Sequence, residues 1–362
     1  MKTFKRAFEE IYMRKTQLLI ALAAIGFAGS ASATNGYFAH GYGIKAKGMG
    51  GAGIAYAQDA LAAATNPAGM VLVGDRIDFG AEIFNPNRES TITGTAARSP
   101  GAFGPTDPGE SLSNGTFESG KDVFLVPEFG YNRMIRPDVS VGVSVFGNGG
   151  MNSEYNSIPA FNAAGTSSKT GVDLMQLFIS PSVAMKINED HAVGAALNLA
   201  YQRFKAYGIA NFDGAAYTSS VGNVSDRGYD DAMGVSLRLG WTGTISPAVT
   251  LGATYQSKTN MSKFDKYKGL FAQQGDFDIP ETYGLGIAIK ANPKTTVAVD
   301  VSRINYSGVQ AVGNVNRLLV GAGALGSDGG SGFGWKDQTV VKLGVSYDVD
   351  NKLTVRAGYN HG

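Results

Sequence analysis

The chain has 362 residues, a formal net charge of +1 and no cysteine, so disulfides, zinc–thiolate sites and thiol nucleophiles are excluded. Near-neutral charge without a basic run excludes nucleic acid as a partner, because phosphate neutralisation dominates that affinity. With 50 glycines and 43% hydrophobic residues the composition suits short strands and turns, and periodicity must choose among β architectures.

Residues 1–33 read as an upstream extension and a secretory signal peptide. Met1 to Tyr12 precede Met13, which is the better start; Arg14 and Lys15 form a positive n-region, Leu18 to Ala28 an apolar h-region, and Ala31-Ser32-Ala33 a small-residue cleavage site. The apolar run is shorter than the roughly 20 residues a spanning helix needs, so Thr34 is expected to begin the mature chain.

Residues 34–74 do not alternate and are rich in Gly and Ala. Placed at the end of a barrel wide enough to leave an aqueous bore, such a segment is expected to act as a plug. Asp59 to Ala64 reads as a short helix that Asn66-Pro67 ends, since proline disfavours helical geometry at the residue before it.

From residue 75 to 362 no run is apolar and long enough for a membrane helix, and the pattern instead alternates with period two. The expected strands run near Ile77 to Ile83, Leu125 to Tyr131 and Val139 to Val145. They continue with the odd-numbered apolar series Leu177 to Ile187, Val193 to Tyr201, Met233 to Trp241, Val249 to Tyr255, Tyr283 to Ile289, Val297 to Val301, Val341 to Tyr347 and Leu353 to Tyr359. Connections alternate between short turns, as at Asn188 to Asp190, and long polar links near Asn87 to Asp122, Gly149 to Val172, Gly208 to Asp230, Lys258 to Asp278 and Ser307 to Lys336. Strict turn alternation and strands of bilayer-crossing length favour a transmembrane barrel over a soluble β-sandwich, which also alternates. Lys186, Arg238, Lys290, Asp300, Lys342 and Arg356 then point into the lumen, as do Glu82 and Glu128, which read as pore-lining charges. Tyr131, Tyr201, Trp241, Tyr255, Tyr283, Tyr347 and Tyr359 sit where interface girdles are found. The strands number eleven, whereas bacterial single-chain barrels are even-numbered and an open edge in lipid is not viable. The expectation is therefore a fragment of a barrel of about 14 strands, truncated at its C-terminus.

Specific residues add a resemblance. Asn35-Gly36-Tyr37, Gly48-Met49-Gly50-Gly51-Ala52 and Ala64-Thr65-Asn66-Pro67-Ala68-Gly69-Met70 resemble the N-terminal hatch of the FadL family of outer-membrane long-chain fatty acid and hydrocarbon transporters. Asn66-Pro67-Ala68 matches that family's most characteristic tripeptide. Val126-Pro127-Glu128-Phe129-Gly130 and Gly147-Asn148-Gly149-Gly150 are similar to its second and third strands. The resemblance implies a 14-stranded barrel with a plug, and uptake of hydrophobic molecules by loop capture, hatch rearrangement and exit through the wall at a kinked third strand. Asn148, Gly149 and Gly150 are the expected kink, since paired glycines weaken strand pairing. Asn66, Pro67 and Ala68 are expected to fix the plug against the wall.

One outer link carries an apolar stripe. Met261, Phe264, Tyr267, Leu270 and Phe271 recur at helical spacing between Lys263, Lys266 and Lys268. With Ile209 and Phe212 of the neighbouring link they form an exterior groove for an acyl chain, or they pack against that link. The resemblance implies a capture site between these two links.

Other motifs carry little. Gly48-x-Gly50-x-x-Gly53 has no strand before it, His40, His191 and His361 lack metal-ligand spacing, and no Gly-x-Ser-x-Gly elbow occurs. The reading is thus an all-β outer-membrane barrel, monomeric and without cofactor, metal or enzymatic activity, whose partners are a hydrophobic small molecule and outer-membrane lipid. The competing reading is a porin or a surface protein that transports nothing.

Overall fold

The computed structural model describes residues 34–93, 114–158, 161–162, 165–316 and 321–362; the expected signal peptide at residues 1–33 lies outside them. The wall consists of β1 (Arg76–Phe84), β2 (Phe124–Arg136), β3 (Val139–Asn156), β4 (Lys169–Lys186), β5 (His191–Tyr207), β6 (Asp230–Ser246), β7 (Val249–Gln256), β8 (Thr282–Asn292), β9 (Thr295–Ile304), β10 (Gln338–Asp348) and β11 (Thr354–His361). Each pairs antiparallel with the next, giving a nearly closed barrel in which β1 and β11 are the two free edges among the described residues.

Period two becomes two faces. On β5 the inward residues Ala196, Asn198, Ala200 and Gln202 are buried, whereas Leu197 and Leu199 face outward and exposed. Phe79 on β1 is 80% exposed and Met233 on β6 70%. Leaving a large apolar side chain in water costs about 1.5–3 kcal/mol, so this surface is built for hydrocarbon. No helix among the described residues is long and apolar enough to cross a membrane. Tyr131, Trp241 and Tyr347 flank the short turns, with His191 stacked on Trp241 at 5.7 Å, while Tyr201, Tyr255, Tyr283 and Tyr359 mark the long-loop end.

The strands extend further toward the long loops than alternation of apolar residues indicates. The stretch Gly149 to Val172 is read from sequence as a link, yet β3 and β4 stay paired to Asn156 and Lys169. Polar outward residues there no longer contrast with the inward ones, so the sequence signal fades although the hydrogen-bonded ladder continues. The link after β1 likewise contains a small hairpin, Glu89–Ile92 with Gly115–Glu118.

Register shifts punctuate the wall. Three lie beside short turns, between Met134 and Arg136, Thr244 and Ser246, and Lys290 and Asn292. A fourth falls mid-strand in β3, between Gly147 and Gly149.

Candidate functional site

Small inward residues on the wall leave room for residues 34–74, which pack against its inner face. Thr34–Asn35 and Phe38–Ala39 form a two-residue ladder, and the chain then coils through one helical turn, Ile44–Gly48. The helix expected over Asp59 to Ala64 closes only as a 3-10 turn at Ala62–Ala64, since Ala60 N donates to Asp78 and Ala60 O accepts from Ser144 on the wall. A second 3-10 turn starts at Pro67 and runs to Leu72, with Asn66 as its cap. Pro67 therefore begins a turn as well as ending one, its ring being tolerated at a first helical position.

Asn66 is a three-way staple. Its Nδ2 donates to the carbonyls of Ile54 at 2.6 Å and of Trp241 on β6 at 2.9 Å, and its Oδ1 accepts from Ala68 N at 3.1 Å. The approach is so close that a Cβ at Gly240 would lie 1.9 Å from Asn66 Oδ1, and one at Gly194 2.4 Å from the Pro67 backbone.

Inward carboxylates act in the same way. Asp300 accepts from Gly53 N at 2.7 Å and Ile54 N at 3.0 Å, and Glu128 from Gly43 N at 3.1 Å and Ile44 N at 2.7 Å. Glu82 pairs with Lys47. Glu82 and Glu128 do point inward, but they hold residues 34–74 and do not line an open pore. Ser144 Oγ donates to Ala60 O at 2.8 Å, and Asn132 Nδ2 to Met70 O at 2.8 Å and Gly74 O at 2.9 Å. Arg356 Nε reaches Gln58 Oε1 at 2.8 Å.

Asn148, already turned inward by the alternation of β3, is buried at the register shift, which also brings Gly149 opposite the inward Gln176. Its Oδ1 accepts from the Tyr42 hydroxyl at 2.8 Å, and its Nδ2 donates to Gln176 Oε1 at 2.8 Å. Phe38 pairs with Gly149, and Gly150 N donates to Tyr37 O at 2.9 Å. A Cβ at Gly149 would stand 1.8 Å from Tyr37 O, so the glycine is required by contact with the segment inside.

The apolar stripe of the link between β7 and β8 faces the bore. Phe264, Tyr267 and Phe271 are buried and Met261 is 9% exposed, and only the 3-10 turn Asp265–Tyr267 is helical between them. They pack on Phe204 of β5, with ring centroids at 5.6, 4.8 and 4.8 Å from Phe264, Tyr267 and Phe271. Phe277 continues the column from Phe271 at 4.8 Å to Tyr37 at 5.8 Å, where Tyr306 and Trp335 join. Leu270 and Ile209 pack on its flank, whereas Phe212 lies apart against Phe161 at 6.0 Å. An exterior groove formed by the whole set is therefore not what the structure assembles: the rings turn inward because the barrel mouth offers an apolar neighbour that water does not. Beside the column, Asp278 binds Lys258 at 2.7 Å and accepts from Met261 N at 2.8 Å. Burial, then the charge of Asp278 and a hydrogen bond to it, push the Asp276 carboxyl up to about 6.

Between residues 34–65 and the inner faces of β6 to β10 lies a cavity of about 60 Å³, lined in part by Phe38, Tyr42, Ile54, Arg238, Ile304 and Lys342. That is far below the roughly 300 Å³ at which ligand pockets begin, so the site is closed here. Arg238 is 5% exposed. Its Nη1 donates to Thr65 O at 3.2 Å and its Nη2 to Gln256 Oε1, but its Nε is buried without a partner. Among the described residues no carboxylate lies within 4.0 Å of it. Arg238 and Lys342 stand at even positions that the alternation already turns inward; what the sequence could not supply is that Tyr42 and Phe38 meet them.

Comparison with known proteins follows the same lines. A family model described as outer membrane protein transport protein (OMPP1/FadL/TodX) matches residues 27–362. No curated protein matches the sequence significantly. Among solved structures the chain is similar to the Pseudomonas putida toluene transporter TodX, with 21% identity over 91% of this chain and 85% of that one and a TM-score of 0.65. A Pseudomonas aeruginosa FadL homologue gives 17% identity, coverage of 90% and 80%, and a TM-score of 0.64. The CymD monoaromatic hydrocarbon channel gives 20%, 89% and 84%, and 0.56. Identities this low establish a shared fold.

Proposed function

The chain belongs to the outer membrane protein transport protein (OMPP1/FadL/TodX) family, and from that membership we propose that it takes up long-chain fatty acids, or similar apolar molecules with an anionic end. It is a Gram-negative outer-membrane barrel and a transport protein, not an enzyme. The observation that carries the substrate reading is Arg238. A buried guanidinium with an idle Nε and no carboxylate partner is costly to hold. It stands beside Phe38, Ile54 and Ile304, which suit a hydrocarbon chain.

In the proposed sequence the stripe Met261, Phe264, Tyr267, Leu270 and Phe271, with Ile209 and Phe212, receives the substrate when the loops part. Phe277 and Tyr37 continue an apolar path toward Arg238. Continuous apolar contact matters because re-exposing each methylene to water costs about 0.8 kcal/mol. Residues 34–74 act as a hatch, with Asn66, Pro67 and Ala68 as its fixed foot. Tyr42 lines the cavity and also holds Asn148, so filling the cavity displaces the group that pins the β3 bulge. Withdrawal of Tyr37 and Phe38 from Gly149 and Gly150 then opens a lateral exit to the membrane. The energy comes from the substrate binding the open arrangement better than the closed one.

A neutral aromatic substrate is the second reading, favoured by the ring column and by the toluene and monoaromatic substrates in the names of TodX and CymD. Arg238→Leu separates the two. Loss of a charge-assisted hydrogen bond is worth about 2 kcal/mol, so fatty acid binding is expected to weaken roughly 30-fold while toluene uptake holds. Unchanged fatty acid affinity in the variant would reject the carboxylate reading.

A further inference from the structure

The outward face of β4 to β6 changes character at one level. On β5 the outward series Val193, Ala195, Leu197, Leu199 and Tyr201 is followed by Arg203, Lys205 and Tyr207. At about 3.3 Å per residue and a tilt near 40°, Val193 to Tyr201 rises roughly 20 Å, close to the height of a lipid-facing apolar band. Arg203 and Lys205 thus stand at headgroup level, at the long-loop end that faces the outer leaflet.

Both cations are held by rings more than by carboxylates. The Arg203 guanidinium lies 3.7 Å from the centre of the Tyr229 ring, and Lys205 Nζ is 4.6 Å from that ring and 5.0 Å from Tyr207. Arg203 Nε is 3.9 Å from Asp231 Oδ1 and has no hydrogen-bond partner, while Asp231 accepts from the Tyr201 hydroxyl. Asp173, beside Lys205 in the register, accepts from the Tyr229 hydroxyl at 2.8 Å and faces Lys121 at 3.8 Å. Glu154 is 3.9 Å from Lys169. Among the described residues no carboxylate lies within 4.0 Å of Lys205. The local acids are occupied, and neither the part-exposed Arg203 guanidinium nor the Lys205 ammonium is hydrogen-bonded to a carboxylate.

We propose that this face binds a phosphate-bearing glycolipid of the outer leaflet. Arg203 and Lys205 donate to the phosphate, and the acyl chains run from Met175, which pairs with Arg203, down over Leu177 and Leu199. The apolar surface continuous with the cations selects a lipid over a free anion, because only a lipid satisfies both. The inference is independent of the transported substrate.

The test titrates the purified full chain in nonionic detergent with diphosphorylated lipid A, its dephosphorylated form and inorganic phosphate, read by native mass spectrometry. Diphosphorylated lipid A is expected to bind, and the double variant R203Q/K205Q to bind it about 30-fold more weakly with unchanged heat stability. Lys205→Gln alone, which breaks no carboxylate pair, is expected to lose about fivefold and serves if the double variant fails to fold. The dephosphorylated lipid should bind as weakly as the double variant. Equal binding by the variants, equal binding of the dephosphorylated lipid, or saturation by inorganic phosphate at the same concentration would overturn the proposal.

Discussion

Asn66 shows how one side chain can connect two layers. A serine or aspartate could cap Ala68 N, but only an amide both accepts there and donates to Ile54 and Trp241. Asn66→Ala is expected to weaken the seating of residues 34–74 by about 2–3 kcal/mol, from the lost cap and buried bonds. Limited proteolysis should then cut this segment faster while the barrel keeps its heat-modifiable gel migration; equal cutting rates would refute the role. Asp276 carries a pH signature. Its carboxyl titrates near 6 in the folded loop, against an ordinary value of 3.8, so the packed loop holds the proton more tightly than the unpacked one. The resulting stabilisation is present below pH 3.8 and is lost as pH rises through about 6. A spin label at position 273 should gain mobility between pH 5 and pH 7, and Asp276→Asn should flatten the response. A pH-independent spectrum in the wild type would exclude it.

At the scale of elements, β3 differs from its neighbours because an interior segment pairs with its bulge. Gly149 has no space for a side chain beside Tyr37, so the glycine pair that weakens the strand also admits the inner ladder. Gly149→Trp must expel Phe38 from that pairing, and Gly150→Trp crowds the Leu174 carbonyl, 2.5 Å from an added Cβ. Uptake is expected to fall on the order of tenfold or more in both, since packed backbone yields to an inserted side chain only by moving. Barrel assembly should persist, because the register of β4 to β10 does not depend on the bulge. Normal uptake would remove the lateral exit from the scheme. The link between β7 and β8 illustrates a different lesson: its aromatic spacing suggests a helix, but Phe204 and Phe277 supply a surface that any inward-turning loop can cover.

For the whole molecule, the bore is filled by residues 34–74 and capped by the ring column, which leaves a cavity of about 60 Å³. An open porin and a stoppered transporter therefore differ in one measurement. In planar bilayers the protein is expected to show little steady conductance, and removal of residues 34–74 should produce a persistent open channel. Large steady conductance of the intact chain would favour the porin reading.

Period-two alternation, short and long connections and outward apolar residues are local properties, and they sufficed for the wall strands, their facing and the inward direction of Arg238, Asp300 and Lys342. That Asn66-Pro67 ends the helical stretch before it is likewise legible, because proline restricts the residue that precedes it; that Asn66 also caps a second turn beginning at Pro67 is visible only in the structure. Tertiary structure decided the rest. Tyr42 lies 106 positions from Asn148, and Gly53 lies 247 from Asp300. Nothing in the spacing of either segment encodes such a meeting. Partners this distant are chosen by how a coiled segment fits inside a curved sheet, so the closed cavity, the pinned bulge and the inward turn of the aromatic stripe emerge only when both surfaces exist.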